Sequence, residues 1–134
     1  MKKIIYFIEY LLVKFLFIIC KVIGFKSASN LGFFIGKNFG NFFRKKKSII
    51  ENLHKSKIAI NISDNQFVDN ILGNYGRILA EYPFLKDFRN NKLSKYIEID
   101  GFENLQNIKK NNKPVVFISG HFSNFELIAI GFDT

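Results

Sequence analysis

Large apolar residues follow a helical period through the first part of the chain. Between residues 4 and 23 they occupy one broad side of a helical wheel, and Lys3, Lys14 and Lys21 fall close together on the other side. Glu9 and Lys14 near the middle would be costly on a lone membrane-spanning helix. We therefore expect a helix at a membrane interface, with its apolar side chains among the acyl chains and its lysines at the headgroups. A packed membrane span, a re-entrant helix and a helix docked on a soluble core are the alternatives.

A glycine at every fourth position marks the next segment, residues 27–43. Gly32, Gly36 and Gly40 stand among large apolar residues, so a helix here would present a smooth strip that another helix can approach closely. We expect this helix to pack on the first one, rather than to be a connector weakened by its glycines. The pattern predicts one membrane-associated helical region over residues 1–43.

A basic run and two further helices come next in the predicted order. Residues 44–47, Arg-Lys-Lys-Lys, would bind anionic headgroups, attract an acidic carrier protein, or form a solvated helix end. A partial apolar stripe predicts a helix over residues 44–58. The second of these helices has Ser63 as its N-cap with Gln66 as the partner, and Pro83 ends it.

Strand patterns enter in the last third of the chain. Residues 86–95 are polar and predict a loop, residues 96–100 predict a strand, and residues 102–110 predict a short helix. Residues 115–118, Val-Val-Phe-Ile, are apolar at every position, which is typical of a strand buried on both faces. The order of several helices, then strand, helix, strand and helix, predicts an α/β layered fold with a right-handed parallel crossover.

The turn and helix after the second strand carry the candidate chemistry. His121 lies in the turn and Glu126 near the start of the helix, so the turn can bring the imidazole and the carboxylate together. The imidazole would then accept a proton from a hydroxyl group while the carboxylate orients the ring. The alternatives are an ordinary turn histidine and a capping box in which Glu126 reaches back to the amide of Ser123.

No metal-binding pattern accompanies His121. The other histidine is His54 and the sole cysteine is Cys20, and neither stands at ligand spacing from His121. We therefore predict neither a metal site nor a cofactor. A single cysteine also excludes an internal disulfide and fits a reducing compartment.

The segment from His121 to Glu126, His-Phe-Ser-Asn-Phe-Glu, resembles the H-x4-D/E signature of glycerolipid-type acyltransferases. Together with the apolar N-terminus, the basic run at residues 44–47 and the segment 97–105, it is most similar to the lipid A biosynthesis lauroyl and myristoyl acyltransferases of Gram-negative bacteria. The resemblance covers essentially the whole chain, which corresponds to the N-terminal part of that family. It implies the start of an acyltransferase domain over residues 44–134.

The resemblance also implies a reaction, its partners and its place in the cell. An acyl-carrier protein would donate a fatty acyl chain to a hydroxyl group of a lipid A precursor at the cytoplasmic face of the cell inner membrane. His121 would be the general base, and Glu126 would orient it. The net charge of +9 agrees with acidic partners such as anionic membrane lipids and the carrier protein.

Other functions are compatible with parts of this pattern. One is a non-catalytic, small membrane-anchored protein, and another is an acyltransferase that acts on a different glycerolipid-type acceptor. Nucleic-acid binding is not expected, because the basic residues are spread along apolar helices and no reader motif is present. Because the chain ends at Thr134, soon after its candidate motif, we expect a fragment of a longer enzyme that is inactive alone. The predicted fold class is therefore α/β, with N-terminal membrane-associated helices before a truncated layered fold.

Overall fold

The computed structural model describes residues 2–111, 114–120 and 123–132, and the regular structure within these ranges is helical. By its internal contacts the chain divides into two compact units, Met1–Pro83 and Phe84–Thr134. The described α-helices are α1 (Lys2–Ile23), α2 (Phe25–Phe39), α3 (Lys46–Ser56), α4 (Asp64–Glu81), α5 (Leu85–Arg89), α6 (Phe102–Asn111) and α7 (Glu126–Phe132). Short 3-10 helices cover Gly40–Phe42, Tyr82–Phe84 and Ser94–Tyr96.

Backbone contact between α2 and α4 forms the centre of the first unit. Gly32 and Gly36 are buried on α2, and a Cβ atom built on Gly32 would stand 2.5 Å from the carbonyl oxygen of Gly76 on α4. Gly73, also on α4, lies against the ring of Phe33. Glycine is needed here because side chains would hold the two helices apart. The predicted close packing is confirmed, but the glycine strip faces α4 rather than α1.

A small apolar core and a helix cap organise α3 and α4. Ile49 of α3 packs with Val68 and Leu72 of α4, and all three side chains are buried. The hydroxyl oxygen of Ser63 accepts a hydrogen bond from the backbone N–H of Gln66 at 3.3 Å. This bond satisfies one of the free amides at the helix start and confirms the predicted N-cap.

The region after α4 is more helical than the sequence predicts. α4 ends at Glu81, and the following 3-10 turn contains Pro83, which confirms the predicted helix end. Residues 86–95 were expected to form a loop, but they begin within α5, whose Phe88 is buried. Burial of this ring stabilises a helical turn that is too short to persist on its own.

The predicted α/β fold class is wrong, because the described residues contain no strand. Tyr96 ends the 3-10 helix Ser94–Tyr96, and residues 97–100 after it form no regular structure. Residues 115–118 are irregular as well, and their side chains are open to solvent, from 43% exposed for Val115 to 94% for Ile118. A strand needs a neighbouring strand to satisfy its backbone N–H and C=O groups. No segment among the described residues offers such a ladder.

The first helix forms over the predicted range, but the structure does not support the membrane-associated helices of the predicted fold class. No residue of α1 is buried, and large apolar side chains such as those of Ile4 and Phe15 are largely exposed. Among the helices that the structure describes, none combines the length and the hydropathy needed to cross a membrane. The fold is therefore corrected to an all-helical arrangement over the described part of the chain.

Candidate functional site

The candidate chemistry of the sequence lies at the start of α7. Glu126 is the first residue of this helix and is partly buried. Ser123, three residues earlier, has a φ angle of 45°, which turns the chain before the helix begins. His121 lies outside the residues that the structure describes, so its contact with Glu126 stays a prediction. The structure therefore places the carboxylate and part of the turn, but not the imidazole.

The start of α7 does not form the capping box that the sequence also allows. Because α7 begins at Glu126, Ser123 is not its N-cap residue. The backbone N–H of Leu127 donates instead to the carbonyl oxygen of Asn124 at 3.1 Å. No described residue forms a hydrogen bond or an ion pair with the Glu126 carboxylate. Within the described ranges, Glu126 thus has no partner that competes with the predicted orienting role.

An apolar cavity of about 710 Å³ lies beside this segment, within the second unit. Phe117 precedes the H-x4-E segment and Leu127 follows it, and both residues line the cavity. α6 contributes Leu105 and Ile108 to the same lining. The volume falls within the range of ligand pockets in proteins, roughly 300–1,000 Å³. The cavity can therefore hold an extended apolar chain next to the candidate motif.

Polar residues that the sequence assigned to a strand line the same cavity. Glu98 and Asp100 precede α6, and Asn104 lies in its first turn. Gly101 has a φ angle of 72°, a conformation that glycine adopts without strain, and it turns the chain into α6. Because residues 96–100 are predicted to form a strand, the sequence does not identify them as a wall of a cavity. Gly101 just ahead of a helix was the signal for a turn at this point.

The second histidine of the chain has a structural partner. His54 belongs to the first unit, where its Nε2 atom lies 2.8 Å from Oδ2 of Asp64 at an exposed position. This pair links the end of α3 to the start of α4. Among the described residues, no three His, Cys, Asp or Glu side chains are grouped so that they could hold a metal ion.

Comparison with known proteins identifies the family of the chain. A family model described as bacterial lipid A biosynthesis acyltransferase matches residues 1–134, which is the full length. No curated protein and no solved structure matches the chain significantly. Membership implies an acyltransferase with a lipid A precursor as the acceptor. Since the match covers every residue and agrees with the resemblance carried by the H-x4-E segment, the chain belongs to the bacterial lipid A biosynthesis acyltransferase family.

Proposed function

We propose that this protein transfers a fatty acyl chain from an acyl-carrier protein to a hydroxyl group of a lipid A precursor. In this proposal His121 is the general base, and Glu126 is the carboxylate that orients it. One observation supports the location of the site above all others. Phe117 and Leu127, on the two sides of the H-x4-E segment, line one apolar cavity. The family match supports the reaction class and the acceptor.

The transfer exchanges a thioester bond for an ester bond. His121 accepts the proton of the acceptor hydroxyl as the hydroxyl oxygen attacks the thioester carbonyl. The carrier thiolate then leaves and takes a proton from the imidazolium, so that His121 returns to its neutral form. Glu126 would hold the ring in the tautomer that accepts the proton, and it would stabilise the positive charge while this charge exists.

The cavity beside the motif suits the acyl chain of the donor. Its apolar lining includes Leu105, Ile108 and Leu127, and burial of each methylene group there is favourable by about 0.8 kcal/mol. Its charged lining residues, Glu98 and Asp100, are both acidic. They favour a neutral acyl chain over a phosphate group as the occupant, because like charges repel at short range.

We place this reaction at the cytoplasmic face of the cell inner membrane. The acceptor is a lipid and the proposed donor is a soluble acidic protein, so the enzyme must meet both at a membrane surface. The net charge of +9 favours contact with anionic headgroups and with the carrier. Fractionation of cells that produce the protein tests the location, and recovery of the protein only in the soluble fraction would contradict it.

An acyl-transfer assay with matched histidine variants tests the mechanism. Membranes that contain the protein expressed from its complete reading frame receive an acylated carrier protein and a lipid A precursor, and the acylated product is measured over time. We expect His121→Ala to lower the transfer rate by roughly a thousandfold, the loss typical of a missing general base. Glu126→Gln should cause a smaller loss, because the imidazole remains but loses its orienting charge.

His54→Ala is the control for these variants. It also removes a histidine, and it breaks the surface pair with Asp64 rather than the candidate site. We expect its transfer rate to stay close to that of the unchanged protein at equal protein levels. Transfer that survives in His121→Ala would refute the general-base assignment. Absence of transfer by the unchanged protein would contradict this donor and acceptor pair, and it would favour a different glycerolipid acceptor or a non-catalytic role.

A further inference from the structure

Two apolar grooves in the first unit share an arginine and a tyrosine. One groove, of about 280 Å³, lies between α2 and α4, and the other, of about 330 Å³, lies between α3 and α4. Arg44 and Tyr75 line both grooves. A guanidinium group and a phenol therefore stand where the two apolar surfaces meet.

Glycines and exposed apolar side chains line the first groove. Gly36 and Gly76 line it, and a Cβ atom on Gly36 would collide with the backbone of α4. Phe39 of α2 and Leu79 of α4 stand in its walls, and their side chains are 52% and 63% exposed. In the second groove Ile58 is 66% exposed. Adjoining apolar surfaces of this kind mark a place where another molecule binds.

The charge between the grooves is positive and lacks a counter-ion among the described residues. Arg44 is exposed and forms no ion pair there, whereas Lys46, two residues later, is paired with Asp69 at 2.7 Å. None of the described residues that line either groove is acidic. An arginine in this setting offers several N–H donors to the oxygens of a phosphate group.

We propose that this surface binds one anionic phospholipid, with its phosphate on Arg44 and one acyl chain in each groove. Two grooves that meet at a single guanidinium match a molecule with two apolar chains and one anionic head. An acidic protein or a nucleic acid would leave both grooves unfilled. The assignment does not rest on the proposed acyl transfer, because it involves neither His121 nor Glu126.

Binding of short-chain phosphatidylglycerol to the purified protein tests this site by isothermal titration calorimetry. We expect Arg44→Gln to raise the dissociation constant about tenfold, through loss of the charge-assisted hydrogen bonds. Lys45→Gln removes the same charge from the next residue, which lines neither groove, and should change the constant by no more than about twofold. Equal losses in both variants would show diffuse attraction and overturn the proposal.

Lipid analogues and groove variants separate the head from the chains. Phosphatidylcholine with the same chains should bind more weakly, because its head has no net charge, and lysophosphatidylglycerol should bind more weakly because one groove stays empty. Leu79→Asp and Ile58→Asp, one in each groove, should each weaken binding of the two-chain lipid. Tighter binding of a lipid A precursor than of phosphatidylglycerol would overturn the phospholipid assignment. Sedimentation of the lipid-free protein gives a second test of the proposal. A dimer that Leu79→Asp dissociates would also overturn it, because the grooves would then be an interface between two copies.

Discussion

Replacement of Gly32 by alanine tests the contact on which the first unit is built. The new Cβ atom would stand 2.5 Å from the carbonyl oxygen of Gly76 and 2.6 Å from the Cβ atom of Ala80. Ordinary contacts begin near 3.4 Å, so the helices are about 1 Å too close for this side chain. A backbone carbonyl cannot rotate away as a flexible side chain does. α2 and α4 must therefore separate, and both lose contacts along their length.

The expected magnitude is the difference between two effects. Overpacking against a backbone costs about 3 kcal/mol, the upper part of the usual range. Alanine is favoured over glycine inside a helix by about 1 kcal/mol, which offsets part of that cost. Gly32→Ala should therefore lower the free energy of unfolding by about 2 kcal/mol. Urea denaturation followed by far-ultraviolet circular dichroism measures this change.

Gly40→Ala is the matched control for Gly32→Ala. Its Cβ atom would approach the Leu72 side chain, with 3.0 Å to the nearest atom, and the φ angle of Gly40 is an ordinary −58°. A small side-chain shift can relieve that contact, so we expect a change below about 1 kcal/mol. A Gly32→Ala protein as stable as the unchanged protein would refute direct backbone contact between α2 and α4. The double variant with Gly76→Ala should cost less than the sum of the two single variants, since the first alanine already separates the helices.

Two further predictions concern partly buried side chains of the first unit, Ser29 and Cys20. The Ser29 hydroxyl donates a hydrogen bond to the Glu81 carboxylate at 2.7 Å, and Glu81 is only 6% exposed. Ser29→Ala should therefore lower the free energy of unfolding by about 1–3 kcal/mol, measured by urea denaturation. The control Ser27→Ala, at an exposed position, should change it by less than about 0.5 kcal/mol. Burial raises the pKa of the Cys20 thiol, with a smaller opposing effect from a backbone hydrogen bond. The folded state therefore disfavours the thiolate, so this contribution to stability is present below about pH 9 and is lost as the pH rises through the folded pKa. Iodoacetamide should accordingly alkylate Cys20 more slowly in the folded protein than in urea at pH 9, and equal rates would contradict the shift.

Helices that depend on local signals were predictable from the sequence. Ser63 and Pro83 bound α4 on both sides, and the hydrogen bond from Gln66 to Ser63 shows that the predicted cap forms. The periodic apolar residues of α1 likewise gave its range to within two residues at the start. These signals act within a few residues of one another, so they do not depend on what the rest of the chain contacts.

The partner of a helix face was harder to predict than the helix. The glycine strip on α2 correctly predicted close helix packing, but from the sequence alone α1 was the expected partner. In the structure it meets α4, which carries Gly73 and Gly76 and so also has a face without side chains. Two smooth faces allow a closer approach than one does, because the separation of two helices is set by the larger side chains at their contact. Gly73 and Gly76 were therefore the overlooked signal.

The two predicted strands failed for a different physical reason. β-Branched and aromatic residues favour an extended chain locally, and residues 115–118 are indeed not helical. An extended segment becomes a strand only when another segment supplies its hydrogen bonds, and that partner is not encoded in the segment. Residues 96–100, where apolar and polar residues partly alternate, likewise lack a partner segment among the described residues. In the structure these residues form a wall of the apolar cavity instead.

The candidate site does not require the strand from which it was first predicted. The sequence placed His121 and Glu126 together because a buried strand would lead into a turn and a helix. The described residues contain no strand, yet Phe117 and Leu127 line one cavity, and α6 also lines it through Leu105 and Ile108. Among the described residues, the flanks of the H-x4-E segment therefore share this cavity through apolar side chains and not through backbone pairing. A substitution such as Leu105→Ala, which enlarges this cavity without touching the motif, should for that reason impair acyl transfer more than it impairs the amount of folded protein.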